Sequence, residues 1–198
     1  MRYKPEHKQR VREAIVRAAG RCMQLKGFHG IGIDSIMAEA GLTSGAFYSQ
    51  FLSKTDLLLE VVRTGLERLN VLFLQHRTKN QQNRFDSKVI EHYLSSQHCQ
   101  NVAEGCVLPS LSADVARADN VVKELYEQLL CQAIDEIETD MPTSQDITQR
   151  QRAWATLSLM AGGILLARAM PSKETSEEIL EACRCFAQQG LDLVDSGK

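Results

Sequence analysis

The chain has 198 residues, 43% of them hydrophobic, with four prolines and a formal net charge of −2. That length buries a real core as an ordinary domain plus a small one, and the absence of alternating apolar–polar runs excludes a β architecture in favour of helices throughout. The charge is uneven: residues 1–54 carry nine Lys or Arg against four Asp or Glu, and residues 55–198 carry fourteen against twenty-one, which suits phosphate binding at one end only, although a basic end alone is more often a solvated face.

The N-terminus, Met-Arg-Tyr-Lys-Pro-Glu-His-Lys, is too polar for a signal peptide. The longest apolar stretch, Ala153 to Ala167, falls short of the roughly 20 residues a bilayer needs. A cytoplasmic protein without membrane contact is expected, with its six cysteines (22, 99, 106, 131, 183, 185) as reduced thiols.

In chain order, a first helix is expected from Glu6 to Lys26, with Val11, Ile15, Ala18, Cys22 and Leu25 as an inward stripe and Gly27 ending it. Residues 33 to 58 are the most informative part. Ile36 and Ala40 share one helix face, and Gly41 can take the left-handed conformation that closes a helix. Thr43 is a good N-cap for the next turn of helix. Phe47 and Phe51 recur at i,i+4 and point inward, leaving Ser44, Gly45, Ala46, Tyr48, Ser49 and Gln50 outside. Ser53-Lys54-Thr55-Asp56 is a capping box that opens another helix. Two helices around a glycine-containing turn form a helix-turn-helix, whose second helix enters the DNA major groove.

The run Ile36-Met37-Ala38-Glu39-Ala40-Gly41-Leu42, then Ser44-Gly45-Ala46-Phe47-Tyr48, Phe51 and Lys54-Thr55-Asp56-Leu57, resembles the DNA-binding domain of the tetracycline-repressor (TetR) family of bacterial regulators. The likeness spans residues 8 to 58. The family usually has Thr at Gly32, Ala at Met37 and His at Gln50; Gly32 lacks the capping hydroxyl, while Gln50 keeps its hydrogen-bond donors. The resemblance implies an all-α chain: an N-terminal three-helix helix-turn-helix domain, residues 1–52, and a C-terminal helical ligand-binding and dimerisation domain, residues 53–198. It also implies a homodimer on double-stranded operator DNA. Ser44, Gly45 and Tyr48 would approach base edges, Thr43, Ser49, Gln50 and Lys54 would hold phosphates, and Ala46 would share that face.

Further on, a helix from Ser53 carries Leu58, Val61, Val62, Leu66, Leu69 and Phe73 inward, and Thr78 to Arg84 reads as a polar loop. A helix with Val89, Ile90, Tyr93 and Leu94 follows, then a looser region from Gln97 to Gly105. Next come Cys106-Val107-Leu108-Pro109-Ser110-Leu111 and a helix holding Val121, Val122, Leu125, Leu129, Ile134 and Ile137. Breaks at Met141-Pro142-Thr143-Ser144 and Met170-Pro171-Ser172 set off two last helices, 145–169 and 173–195. Leu157, Met160, Ala161, Ile164 and Leu165, with Gly162 and Gly163 among them, make the first of these apolar nearly all round, so it is covered on several sides. A central monomer helix would satisfy that pattern. The family resemblance implies instead that the last two helices pair with a second copy, with Leu157, Met160, Ala161, Gly163 and Ile164 at the dimer interface.

The apolar body suits a small, mostly hydrophobic inducer, with Tyr93, Cys106, Leu108, Leu111 and Tyr126 as candidate lining. Cys22 and Cys183 fall on apolar stripes and read as small core hydrophobes. Cys106 follows Gly105 at an expected helix start, where the helix dipole favours thiolate, so it is both a candidate pocket wall and a candidate redox sensor. A glycine–cysteine pair before an apolar run also resembles a branch of the family in which some members respond to electrophiles or oxidants. No CxxC pair occurs, and Cys183 and Cys185 at i,i+2 point to different sides, so no metal site and no cofactor are expected. There is no Gly-rich phosphate loop and no grouped nucleophile and base, which argues against an enzyme. The readings are thus a ligand-released repressor, a cysteine-based redox- or electrophile-sensing repressor, or a helical protein-interaction scaffold. The small polar face around Ser44–Gln50 disfavours the scaffold, which would expose more apolar bulk.

Overall fold

The computed structural model describes residues 5–79, 85, 87–143 and 145–192, and among these the regular structure is helical only. In chain order the helices are α1 (Pro5–Lys26), α2 (Ile33–Glu39), α3 (Ser44–Phe47), α4 (Lys54–Lys79), α5 (Ser87–Tyr93), α6 (Ser96–Gln100), α7 (Val107–Ala116), α8 (Asn120–Glu138), α9 (Gln149–Ala169) and α10 (Lys173–Asp192). They sort into two compact units, Met1–Leu66 with Val102–Glu127, and Glu67–Asn101 with Gln128–Lys198.

The first unit is built on α1. Its buried face is Ile15, Ala18, Ala19 and Met23, rotated from the expected stripe: Cys22 is half-buried and Leu25 is exposed. Periodicity locates an apolar stripe, but the elements packed on it (here α2 and α7) decide which flank is covered. Gly27, at φ 75°, closes α1 by donating its N–H to the Met23 carbonyl at 2.8 Å. Gly41, at φ 68°, closes α2 with its own N–H on the Ala38 carbonyl at 3.0 Å and the Leu42 N–H on the Met37 carbonyl at 2.9 Å. Both conformations would strain any residue carrying a Cβ. Phe47 and Phe51 are buried and stacked, centroids 5.6 Å apart, and hold the short α3 against the unit's core.

Two caps differ from expectation in detail. Thr43 has the extended backbone of an N-cap, yet its side chain makes no cap hydrogen bond. At α4, Ser53 Oγ accepts the Asp56 N–H at 3.0 Å as a capping box requires, but the Asp56 carboxylate accepts from Leu52 N–H, also at 3.0 Å. Along α4, Leu58, Val61, Val62, Leu66, Leu69 and Phe73 are all buried. The expected loop from Thr78 starts later, because α4 continues to Lys79; the rest of that loop lies outside the described residues.

In the second unit, part of the region read as loose is the helix α6, capped by Ser95 Oγ accepting the His98 N–H at 3.1 Å. Helix α9 opens at Gln149, not 145, on a complete capping box between Thr148 and Gln151. On α8 Val122, Leu125, Leu129, Ile134 and Ile137 are buried, while Val121 faces outward. Helices α9 and α10 pack closely at Gly163, where a Cβ would stand 2.8 Å from Cys183 Sγ. No helix among the described residues is long and apolar enough to cross a membrane.

Candidate nucleic-acid interface

Helices α2 and α3 and the Ala40–Thr43 turn form the expected helix-turn-helix. Within Thr43–Gln50 the outward side chains are small or polar apart from Tyr48, whose ring is 69% exposed. A Cβ on Gly45 would meet nothing within 4 Å, so α3 presents open backbone at its tip. The polar groups are pre-positioned by local bonds. Ser44 Oγ donates to Asp34 Oδ1 at 2.5 Å, tying α3 to α2, and Ser49 Oγ donates to the Ala46 carbonyl at 2.7 Å. Gln50 Nε2 reaches Ser49 Oγ at 3.4 Å.

Lys54 is engaged within the chain more than its sequence position suggests. Its ammonium donates to the carbonyls of Phe28 and Ile31 and lies over the Phe28 ring, 4.6 Å from the centroid. Partial burial lowers its pKa from the usual lysine value, against an opposing pull from the Asp114 carboxylate. Two of its three N–H donors are therefore committed within the chain.

Three residues that the motif does not point to shape this head. Arg12 donates to the Gln50 carbonyl at 2.7 Å, pairs with Glu60 at 3.2 Å and stacks over Phe51 at 4.2 Å, so it joins α1, the end of the recognition turn and α4. Arg21 pairs with Glu39 at the end of α2, at 3.2 Å, and also with Glu104. Asp114 of α7, only 7% exposed, accepts the Phe28 N–H at 3.1 Å. Apart from the i,i+3 pair of Asp114 with Arg117, the polar partners of all three are turn carbonyls, amides or distant acids, which no local spacing announces.

The candidate inducer-lining residues divide between the units: Cys106, Leu108, Leu111 and Tyr126 belong to the first and Tyr93 to the second. Leu108, Leu111 and Tyr93 are buried, and Tyr126 shares a 2.6 Å hydrogen bond with Ser112. Burial raises the Tyr126 pKa, so its hydroxyl stays protonated. Cys106 is the N-cap of α7, its Sγ accepting the Leu108 N–H at 3.5 Å. Burial pushes the Cys22 and Cys183 thiols up in pKa, and a hydrogen bond to Glu181 does the same to Cys185. Among the described residues no group of three or more His, Cys, Asp or Glu is arranged to hold a metal ion.

The residues expected at a dimer interface are mostly covered by the chain itself: Leu157, Met160, Gly163 and Ile164 are buried and Ala161 is half-buried. The outward apolar side chains of these helices are Leu165 (53% exposed) and Leu166 (56%) on α9 and Phe186 (69%) on α10. Ser158, Gly162 and Ala182 lie among them. An all-apolar helix does not disclose in its sequence which side its own chain covers.

Residues 15–61 match the family described as bacterial regulatory proteins, tetR family. No curated protein matches the chain. Among solved structures, it is similar to a TetR-family transcriptional regulator from Cytophaga hutchinsonii, at 14% identity over 98% of this chain and 100% of that one, TM-score 0.74. It is similar to a TetR transcriptional regulator from Legionella pneumophila, at 18% identity over 91% and 96%, TM-score 0.74. It is also similar to E. coli NemR in its reduced form, at 18% identity over 93% and 99%, TM-score 0.70. At these identities the structural likeness speaks for the fold.

Proposed function

We propose that this chain, a TetR-family regulator by its N-terminal domain and its fold, is a cytoplasmic repressor that binds palindromic operator DNA as a homodimer. The observation that carries the reading is the coincidence of the family match with the small, polar outward face of Thr43–Gln50. Ser44, Gly45 and Tyr48 approach base edges: Gly45 allows close contact, and the Tyr48 ring suits thymine methyls. Thr43, Ser49, Gln50 and the remaining donor of Lys54 hold phosphates beside Ala46. One short recognition helix reads few bases, whereas two held about 34–36 Å apart read a palindrome. The second copy docks on Leu165, Leu166 and Phe186, a face whose small neighbours let another backbone come close.

Release requires a ligand that prefers the conformer with its two heads at the wrong spacing, and no chemistry. A small hydrophobic molecule lined by some of Cys106, Leu108, Leu111 and Tyr126, all in the first unit, fits the largely apolar character of those residues. A second reading, thiol sensing at Cys106, draws on its position at the positive end of α7 with a hydrogen bond donated to its sulfur. A gel shift on DNA upstream of the chain's own gene, against an unrelated duplex, tests the main reading. Gly45→Glu places a carboxylate into open space, so it should leave helix content intact and abolish the shift. Equal binding by wild type and Gly45→Glu would contradict the assignment of this face.

A further inference from the structure

Among the described residues of the first unit, the charged side chain buried most deeply is not in the helix-turn-helix. Asp114 sits in the last turn of α7, 7% exposed, and the exposed Arg117 pairs with its Oδ1 at 3.2 Å. Its other oxygen, Oδ2, accepts the Phe28 N–H at 3.1 Å. That amide needs a partner for a local reason. Helix α1 ends on a single bond from Gly27 N–H to the Met23 carbonyl, which leaves the next amide, Phe28, without an intrahelical acceptor. The carboxylate of α7 thus satisfies the amide of Phe28, just beyond the end of α1.

The same residue, Phe28, passes the contact on. Its carbonyl and that of Ile31 accept from Lys54, the first residue of α4, directly behind the recognition turn. The other end of α7 is also fixed to the head. Val107 packs against Gly65 of α4 so tightly that a Cβ there would stand 2.3 Å from Val107 Cγ1. Just before it, Gln24 of α1 donates to the Ala103 carbonyl at 3.1 Å, and Arg21 pairs with Glu104. The Arg21 pairs are exposed and screened by salt, so they are the weaker route. The Asp114 bond is the stronger, because its carboxylate is buried and so less screened than the Arg21 pairs.

We infer that Asp114 is the positioning residue through which α7 sets the 27–31 turn, and with it the orientation of the helix-turn-helix; this rests on the DNA-binding reading above. Helix α7 carries Cys106 at its start and Asp114 near its end, so an event at the first is delivered to the head through the second. Binding energies are reciprocal, hence DNA that orders the head also orders α7.

The test compares wild type, Asp114→Ala and Asp114→Asn as full-length proteins. Asparagine keeps an acceptor for the Phe28 amide, and alanine does not. Amide exchange over residues 27–31, measured without DNA, should accelerate in Asp114→Ala and stay near wild type in Asp114→Asn. Operator affinity should fall about tenfold in Asp114→Ala with helix content unchanged. Cys106 alkylation by iodoacetamide, followed on its own peptide by mass spectrometry, should slow severalfold when wild type binds DNA. It should show no DNA dependence in Asp114→Ala, which a purely structural loss would not produce. Unchanged exchange over 27–31 in Asp114→Ala, or DNA protection of Cys106 equal to wild type, would overturn the inference. A wild type that binds no DNA while Asp114→Ala still loosens 27–31 overturns the repressor reading and leaves the clamp standing.

Discussion

Lys54 Nζ lies 4.6 Å from the centroid of the Phe28 ring and donates to the carbonyl of that same residue. The first residue of α4 is thus a bolt between the scaffold helix and the turn after α1, in addition to any contact with DNA. Lys54→Ala should lower unfolding stability by about 1.5–3 kcal/mol, the range for hydrogen bonds made by a charged group. It should also weaken DNA binding on all sequences alike. Because the loss comes largely through the shape of the head, the slope of log K against log salt should change by less than the roughly 0.9 expected for one full phosphate contact. Chemical denaturation paired with a salt titration checks both.

His98 gives the second unit a defined pH response. Burial, opposed by its hydrogen bond to the Tyr93 carbonyl and helped by the charges of Arg168 and His92, holds its pKa below the ordinary 6.5. Around and just below pH 6.5 the unfolded chain therefore binds a proton that the folded chain refuses, and stability rises with pH. The contribution is complete above that value and is lost as pH falls toward the lower folded pKa. Urea midpoints at pH 7 and pH 5.5 should show a smaller drop for His98→Gln than for wild type.

For assembly, Phe186→Glu and Leu166→Glu place charges on the outward face of α9 and α10, and sedimentation at micromolar concentration should show monomers with normal helix content. Gly163→Ala behaves differently. Its added methyl meets Cys183 at 2.8 Å within the same chain, so it should cost about 1–3 kcal/mol of stability from overpacking whatever the oligomeric state.

Much of this molecule is legible in the order of its residues. The end of α1 at Lys26, the left-handed Gly41, the inward pair Phe47 and Phe51, and the breaks at Pro142 and Pro171 all follow from local chemistry that acts within a few positions. Helix α6 was not legible. It has five residues, and its end is held from afar by Arg168, which donates to the carbonyls of Cys99 and His98 at 2.9 and 3.1 Å. The same holds for the site. The outward face of α3 can be read from the motif, but Lys54's carbonyl partners and the Asp114–Phe28 bond join residues 26 and 86 positions apart. The side of α9 left open by its own chain is likewise not legible: Met160 and Ile164 fall on an apolar helix in the sequence, and in the fold their own chain covers them.

Thiol chemistry separates the two readings of Cys106. Cys22, Cys183 and Cys185 are all pushed away from thiolate, so they should react slowly with N-ethylmaleimide at neutral pH. If Cys106 senses, the reagent should release wild type from DNA in a gel shift and leave Cys106→Ser bound. Release of both proteins, or of neither, assigns Cys106 to the pocket wall.

The central claim is sequence-specific DNA binding by two helix-turn-helix heads, and footprinting on the DNA flanking the chain's own gene tests it most directly. The account predicts one protected palindrome with half-sites about one helical turn, or a multiple of it, apart. Protection should be lost with Gly45→Glu, which blocks the recognition tip, and with Phe186→Glu, which separates the copies. Uniform or absent protection by the wild-type protein, with and without added hydrophobic ligands, would contradict it.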